Sequence, residues 1–280
     1  MTPKWIVEND VFDEDLGPLV DEIKRQGMEV VEIKYVPFES GSYDHFKDND
    51  CVIFYGSLNL MRQLQRQKPW VPGGWCNFQN FECTTYYAHF GKYLLNDRYI
   101  MMPLAEVKRR KDELYHPPLS SEFHPIFIRP SSGFKTFTGK VVLEKDFEKD
   151  FEWFDEFATP ESIVVIADPW DIKAEYRFFV ANKQVIASSS YRIDGKLNYD
   201  ALVPDGARDL AIKIAAEEWE PDPLYVIDIC CHEGRLGDGF YLMEINSFSC
   251  SGLYHCDIKP IVEYASKQAK SEWENTKNVC

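Results

Sequence analysis

An α/β beginning that gives way to an α+β remainder is the fold class this chain predicts. Three observations predict it. Short apolar runs at Trp5–Val7, Val30–Ile33 and Cys51–Tyr55 are separated by crossovers, the signature of a small parallel sheet. From about residue 98 the apolar runs read as hairpins, most clearly Glu175–Ala181 and Gln184–Ser190 around Asn182-Lys183. The length of 280 residues suffices for one large domain or two ordinary ones with a sizeable core.

Each element follows from local pattern. After Trp5–Val7, Asp13 is placed to cap a helix whose Leu16, Leu19, Val20 and Ile23 share a face, with Gly27 as its C′ residue. The third strand ends at Gly56-Ser57. Pro72-Gly73-Gly74 marks a loop, and Tyr86–Leu95 reads as a helix. Strands are expected at Arg98–Met102 and Pro125–Arg129, flanking a helix over Leu104–Leu114. Lys108-Arg109-Arg110-Lys111 on that helix reads as a solvated face. Val141–Leu143 is a strand; Phe147, Phe151, Phe154 and Phe157 form one packing stripe of the next helix, and Ser162–Ala167 is a strand. A helix over Arg208–Glu218, a strand over Leu224–Cys231, a turn over Gly234–Gly239, a strand over Phe240–Asn246 and a helix over Pro260–Lys277 close the chain. No internal repeat or low-complexity linker is visible.

Composition narrows the function classes. A hydrophobic fraction of 45% and a charged fraction of 28% are those of a soluble globular chain. The net charge of -15 repels phosphate backbones, so a nucleic acid is not an expected partner. No apolar run approaches the roughly 20 residues that span a bilayer, and Met1–Glu8 lacks the apolar segment of a secretion signal. A cytoplasmic protein without a membrane partner is the expectation. The eight cysteines carry no C-x-x-C pair and are expected as reduced thiols. Cys230 and Cys231 are neighbours on a strand and face opposite ways, and Cys250, His255 and Cys256 form the other candidate zinc cluster.

Three constellations carry chemistry. In the first, Arg129 stands at a strand end before the turn Ser131-Ser132-Gly133, with Lys135 and Lys140 following. Backbone N–H groups of such a turn can meet phosphate oxygens while cations neutralise them, although basic residues around a hairpin are commonly plain surface. In the second, Glu175 and Arg177 share one side of a strand, and Arg192 closes the returning strand. A cross-strand ion pair explains them structurally; the functional alternative is Glu175 on a ribose and Arg177 on a phosphate. In the third, Asp228 on one strand meets Glu244 and Asn246, which share a face of the next. Two carboxylates and an amide oxygen form a hard oxygen set suited to Mg²⁺, and burying such acids without a cation is costly.

In this order the three constellations resemble the ATP-grasp superfamily. They resemble most a small clade, common in bacteria and phages, with an Arg-then-Lys phosphate-binding pattern. The resemblance spans roughly residues 72–258. It rests on Pro72-Gly-Gly-Trp75, Leu94-Leu-Asn-Asp97, Phe127-Ile-Arg-Pro130, Phe134-Lys-Thr-Phe-Thr-Gly139, Glu175-Tyr-Arg-Phe-Phe-Val180 and Met243–Tyr254. It implies a Rossmann-like N-terminal domain over residues 1–97 and an ATP-grasp domain over 98–280, the latter made of two α+β subdomains that clasp ATP. It further implies that Ile166, Ala167 and Asp168 hydrogen-bond the adenine and that Glu175 holds the ribose. Arg129, Lys135 and Lys140 take the phosphates, and Asp228, Glu244 and Asn246 ligate Mg²⁺. Arg177 and Arg192 contact the γ-phosphate or the acyl phosphate. Many superfamily members carry Lys where this chain has Arg129; Arg still binds phosphate, bidentately.

The chemistry so implied is attack of a carboxylate on the γ-phosphorus, giving an acyl phosphate and ADP. An amine then displaces phosphate to form an amide or peptide bond. The acceptor-side residues are expected in Ser247–Gly252. Its substrates would be a small-molecule or peptide carboxylate and an amine. The alternatives are an ATP-binding assembly protein on the same fold, or a phosphotransferase that stops at phosphorylation.

Overall fold

The computed structural model describes residues 2–36, 43–116, 125–199, 202–232 and 239–277. Of the segments discussed above, 234–238 and Cys280 lie outside the described residues. The elements in chain order are β1 (Lys4–Glu8), α1 (Asp13–Arg25), β2 (Glu29–Ile33), β3 (Cys51–Tyr55), α2 (Leu58–Gln67), β4 (Val71–Gly73) and α3 (Cys83–Phe90). There follow β5 (Tyr99–Pro103), α4 (Leu104–Arg109), α5 (Lys111–Tyr115), β6 (Ile126–Pro130), β7 (Lys140–Val142), α6 (Phe147–Phe157) and β8 (Ile163–Ala167). The chain closes with β9 (Ile172–Ala181), β10 (Gln184–Ile193), β11 (Lys196–Leu197), α7 (Asp205–Ala215), β12 (Leu224–His232), β13 (Gly239–Ser247) and α8 (Ile258–Lys277). They fall into two compact units: Met1–Asn77 with Lys173–Cys231 and Phe240–Cys280, and Phe78–Ile172 with His232–Gly239.

The first unit contains two sheets. One is parallel, in the order β2-β1-β3-β4, as three crossover-separated apolar runs require. All five residues of β3 are buried, which is why its sequence is continuously apolar instead of alternating. The helix after β1 begins at Asp13 itself; Phe12 occupies the cap position without a side-chain cap bond. Asp13, Glu14 and Asp15 therefore act on the first turn through their charge, complementing the helix dipole. Gly27 ends the helix at φ 79°, the left-handed C′ geometry expected of it.

Two elements of this sheet escape a reading of periodicity. Ser57 does not merely follow β3: its Oγ accepts from the Leu60 N–H at 3.2 Å and starts α2. Pro72 and Gly73, read as loop, belong to β4, where an edge position spares Pro the ladder donor it lacks.

The second sheet runs β11-β10-β9-β12-β13. Its β9–β10 hairpin turns at Asn182 and Lys183, both at positive φ, as a two-residue turn demands. Between the sheets runs α8, whose Ile261, Val262, Ala265, Ala269 and Trp273 recur every three or four residues and join one core with Trp5, Ile53, Phe179, Val226 and Phe248. Burial of each large apolar side chain here contributes about 1.5–3 kcal/mol. The helix expected over Arg208–Glu218 lies one turn earlier, as α7.

One packed carboxylate of this unit makes a measurable prediction. Asp222 accepts from the Asn77 N–H at 2.9 Å, and burial, opposed by that hydrogen bond and reinforced by Glu272, pushes its pKa from 3.8 up to about 7. The folded protein then holds a proton that the unfolded chain has released. Stability is full below about pH 4 and falls as pH rises through 7. Asp222→Asn keeps an acceptor oxygen and removes the charge. It is expected to raise the Tm at pH 8 by a few degrees and to lose that advantage at pH 4, in paired melts.

The second unit is built on an antiparallel sheet in the order β5-β8-β6-β7. Val164, Ile166, Ile128, Met102 and Val142 point to one face and pack on α4, α5 and α6. Phe147, Phe151 and Phe154 supply that packing, whereas Phe157 is 48% exposed and leaves the expected stripe. The single helix expected over Leu104–Leu114 breaks at Arg110 into α4 and α5. The helix expected over Tyr86–Leu95 starts at Cys83 and ends at Phe90 in a 3₁₀ turn. Lys108, Arg109, Arg110 and Lys111 each meet an acid, respectively Asp155, Glu106, Glu113 and Glu148, as a solvated face does. Among the described residues no helix is long and apolar enough to cross a membrane.

Candidate functional site

In the first unit, strand period two sets Glu175 and Arg177 on one face of β9, with Tyr176 and Phe178 on the other. The register of β10 slips between Ser190 and Arg192, so that Arg177 opposes Ser189 while Glu175 opposes Arg192. The extra residue is Tyr191. A bulge of this kind re-aims a side chain, and the Tyr191 hydroxyl donates to Glu175 Oε2 at 2.5 Å. Arg192 Nη1 reaches Glu175 Oε1 at 3.4 Å. Burial raises the Glu175 pKa; the Tyr191 hydrogen bond and Arg192 oppose the rise, while Asp228 and Glu244 add to it.

Asp228 is 0% exposed and sits at the centre of this group. Arg177 grips it bidentately, Nε to Oδ1 at 2.8 Å and Nη2 to Oδ2 at 2.7 Å. The third guanidinium nitrogen, Nη1, donates to the Gly252 carbonyl at 2.9 Å. Tyr254 and Tyr191 pack against the cation, their ring centres 4.4 and 5.4 Å from Cζ, and the two rings stack on each other at 4.9 Å. Burial by itself would pull the Arg177 pKa down; the Asp228 carboxylate more than offsets this and the net shift is upward.

Across from Arg177, Asn246 Nδ2 donates to Asp228 Oδ2 at 2.8 Å and to Glu244 Oε1 at 3.1 Å. Both amide protons are thereby used, which leaves Oδ1 as the donor atom for another ligand. The three residues named from sequence thus stand together: two carboxylates and an amide oxygen, a donor set that fits a hard divalent cation. Among the described residues no group of three or more His, Cys, Asp or Glu side chains is placed to hold a metal. That statement covers the Cys250/His255/Cys256 cluster. None of the described cysteines is in a disulfide, and burial raises the thiol pKa of Cys230, Cys250 and Cys256.

In the second unit, Arg129 opposes Val165 and shares the sheet face of Phe127 and Ala167. Helix α3 is tied to the end of its strand: the Cys83 N–H donates to the Ser131 carbonyl at 2.8 Å and the Thr84 N–H to Ser131 Oγ at 3.2 Å. The turn after it is compact. The Phe134 N–H donates to Ser132 Oγ, the Lys135 N–H to the Ser132 carbonyl, and Lys135 takes a φ of 50°. Gly133 has no room for a side chain, since a Cβ there would lie 2.5 Å from the Phe78 carbonyl oxygen. Thr136 Oγ1 is buried with no hydrogen-bond partner, a polar atom in the same turn.

Lys140 is placed differently. It opposes Ile128, hence the other face of the sheet from Arg129, and its Nζ pairs with the buried Asp150 at 2.5 Å beneath the Trp153 ring. Its position assigns it to α6, in place of the phosphate contact that the resemblance implies. At the end of β8, Ile166 points to the α6 side and Ala167 to the Arg129 side, and Asp168 is exposed.

Sequence reasoning did not single out Tyr191 or Tyr254. Tyr191 reaches the site through a bulge that no residue pattern announces, and Tyr254 through positive φ at 254 and 255. Its place eight residues after Asn246, on the segment that follows the metal strand, was the one available signal.

Solved structures share this architecture. D-cycloserine synthetase DcsG is similar with a TM-score of 0.64 at 11% identity, over 95% of this chain and 99% of that one. D-alanine–D-alanine ligase from Bacillus anthracis gives 0.57 at 14%, over 97% and 100%. The ATP-grasp ligase PsnB, complexed with a minimal precursor, gives 0.55 at 12%, over 96% and 99%. At such identities the likeness establishes the ATP-grasp fold. A sequence search of curated proteins returns no match. A family model does match, over residues 107–264, more than half of the chain and inclusive of Arg129, Glu175, Arg177, Asp228, Glu244 and Asn246. The chain therefore belongs to an ATP-grasp domain family, the second family of the clade with the Arg-then-Lys pattern.

Proposed function

We propose that the protein is an ATP-dependent carboxylate–amine ligase that forms an amide or peptide bond through an acyl phosphate. The observation that carries this reading is the joining of Asp228, Glu244 and Asn246 into one oxygen-donor set, with Glu175 and Arg177 beside it. Structural work on neighbours fits it: the Bacillus anthracis ligase has been solved with ATP, and PsnB with precursor, Mg and ADP. Residues 1–97 serve as the N-terminal substrate-side domain and 98–280 as the ATP-grasp domain.

In this reading Asp228, Glu244 and Asn246 hold Mg²⁺, which when bound supplies charge neutralisation for the β- and γ-phosphates. Glu175, oriented by Tyr191 and Arg192, accepts from a ribose hydroxyl. Backbone groups of Ile166, Ala167 and Asp168 bind adenine, and Arg129 and Lys135 neutralise phosphate. Arg177 has its three donor nitrogens on Asp228 and Gly252, so it acts by holding Asp228. Arg192, with its side chain 44% exposed, is the cation left to meet developing charge on the acyl phosphate. The substrates are a small-molecule or peptide carboxylate and an amine, with neither a nucleic acid nor a membrane involved, and the setting is the cytoplasm.

The test is calorimetric titration with AMPPNP, with and without Mg²⁺, followed by ADP release with candidate carboxylates and amines. Mg²⁺-dependent binding and ADP release that needs both substrates support the ligase. Binding without any turnover favours an assembly role, and a phosphorylated acceptor as sole product favours a phosphotransferase. Arg129→Ala is expected to weaken AMPPNP by roughly 10–100-fold, the loss of one charge-assisted phosphate contact of about 1.5–3 kcal/mol. An unchanged Kd would remove Arg129 from the phosphate site.

A further inference from the structure

The metal-side acid Asp228 is held from behind by a polar chain that ends on a different part of the fold. Arg177 grips Asp228 through two nitrogens and passes its third to the Gly252 carbonyl. The next two residues of that loop turn the opposite way. The Leu253 N–H donates to Asp15 Oδ2 at 2.6 Å, and the Tyr254 N–H bonds the same carboxylate. Tyr254 then lays its ring against the Arg177 guanidinium at 4.4 Å, with φ of 48°.

Asp15 lies in the first turn of α1, on the parallel sheet and well outside residues 107–264. The spacing leaves little slack. A Cβ on Gly252 would stand 3.4 Å from both Asp15 Oδ2 and the Tyr254 ring. The loop is also fixed on its other flank, where the Tyr55 hydroxyl donates to the Ser251 carbonyl at 2.6 Å and the Ser251 hydroxyl to the Ser247 carbonyl at 2.6 Å. Moving residues 252–254 therefore moves both the carbonyl that receives Arg177 and the ring that packs on it. Partners of this kind set the orientation of a metal ligand, and their loss costs affinity without removing a ligand.

We infer that Asp15 is a positioning residue of the site: its carboxylate anchors the Gly252–Tyr254 loop, which aligns Arg177 and through it Asp228 for Mg²⁺. This rests on the ligase reading, in which Asp228 serves the metal. It makes α1 part of the catalytic apparatus of a chain whose matched family segment does not include that helix. Asp15 touches neither nucleotide nor metal in this arrangement. Its effect is confined to the part of nucleotide affinity that Mg²⁺ adds.

That confinement supplies the test. AMPPNP is titrated into the full-length wild type, Asp15→Ala and Asp15→Asn, each with and without Mg²⁺. Asp15→Ala is expected to lose roughly 10–100-fold of the Mg²⁺-dependent gain while Mg²⁺-free binding stays within about twofold. Asp15→Asn, which keeps an oxygen for the loop N–H groups, is expected to recover most of the gain. Hydrogen exchange without nucleotide gives an independent readout: amides 253 and 254 should exchange at least about tenfold faster in Asp15→Ala. A full Mg²⁺ gain in Asp15→Ala, equal loss with and without Mg²⁺, an Asn variant as weak as Ala, or unaltered exchange would each overturn the inference. A wild type that binds AMPPNP with no Mg²⁺ gain would instead overturn the ligase reading, and the positioning role with it.

Discussion

Glu244→Ala is expected to abolish ATP turnover while the protein stays folded, with a loss well beyond the roughly 10–100-fold that follows removal of a supporting partner. Glu244 is half-buried and meets the Asn246 amide at 3.1 Å, so its removal strips a donor from the metal set without opening the core. A Tm within a few degrees of wild type, measured beside ADP release, separates the chemical effect from a folding one. Asp228→Asn should be equally inactive but less stable, because Arg177 then faces a neutral amide in a site where Asp228 is 0% exposed. Wild-type turnover in either variant would remove these residues from the metal site.

The largest expected effect on stability comes from Arg177→Met. The bidentate pair with Asp228 is enclosed, the two side chains being 8% and 0% exposed. Ion pairs in such places contribute little net stability when intact, since desolvation offsets attraction. Breaking one from a single side leaves a buried charge and costs about 3–5 kcal/mol. The variant also loses the donor to Gly252 and the cation between Tyr191 and Tyr254. A carboxylate stranded in this way takes up a proton more readily. The stability deficit should therefore be greatest near neutral pH and shrink as pH falls through the carboxylate range. Urea unfolding of both proteins at pH 7.5 and 4.5 reads this directly. A deficit that is the same at both values, or absent, would mean that Asp228 is not left charged.

These two variants also separate roles that one fold combines. Glu244 bears on the cation, whereas Arg177 bears on the shape of the site that receives it. Asp15, Tyr191 and Tyr254 belong with Arg177, as residues that hold other residues. The acidic overall charge of -15 is compatible with this economy, since three buried or half-buried acids, Glu175, Asp228 and Glu244, are gathered around a single enclosed guanidinium.

The chain's own letters were enough for the elements whose stability is local or whose burial is complete. Crossover-separated apolar runs dictate a parallel sheet, and Asn182-Lys183 dictates a hairpin because positive φ there matches strand twist. The shared face of Glu175 with Arg177, and of Glu244 with Asn246, follows from strand period two alone. Resemblance to ATP-grasp proteins was legible because its segments occur in order along the chain.

What tertiary structure decided is which face meets which, and through what irregularity. Lys140 and Arg129 look alike in sequence, two cations at the ends of neighbouring strands. One-to-one pairing of Lys140 with Ile128 places them on opposite faces of the sheet, and Asp150 on α6 claims the lysine. The bulge at Tyr191 and the positive φ at Tyr254 bring two aromatic rings onto Arg177 from segments more than sixty positions apart. Asp15, read as a helix-start residue, became an anchor for a loop 238 positions away. Sequence periodicity reports how an element divides its own faces. It carries no record of the partner that a face will find, because that choice is made by packing among segments distant in the chain.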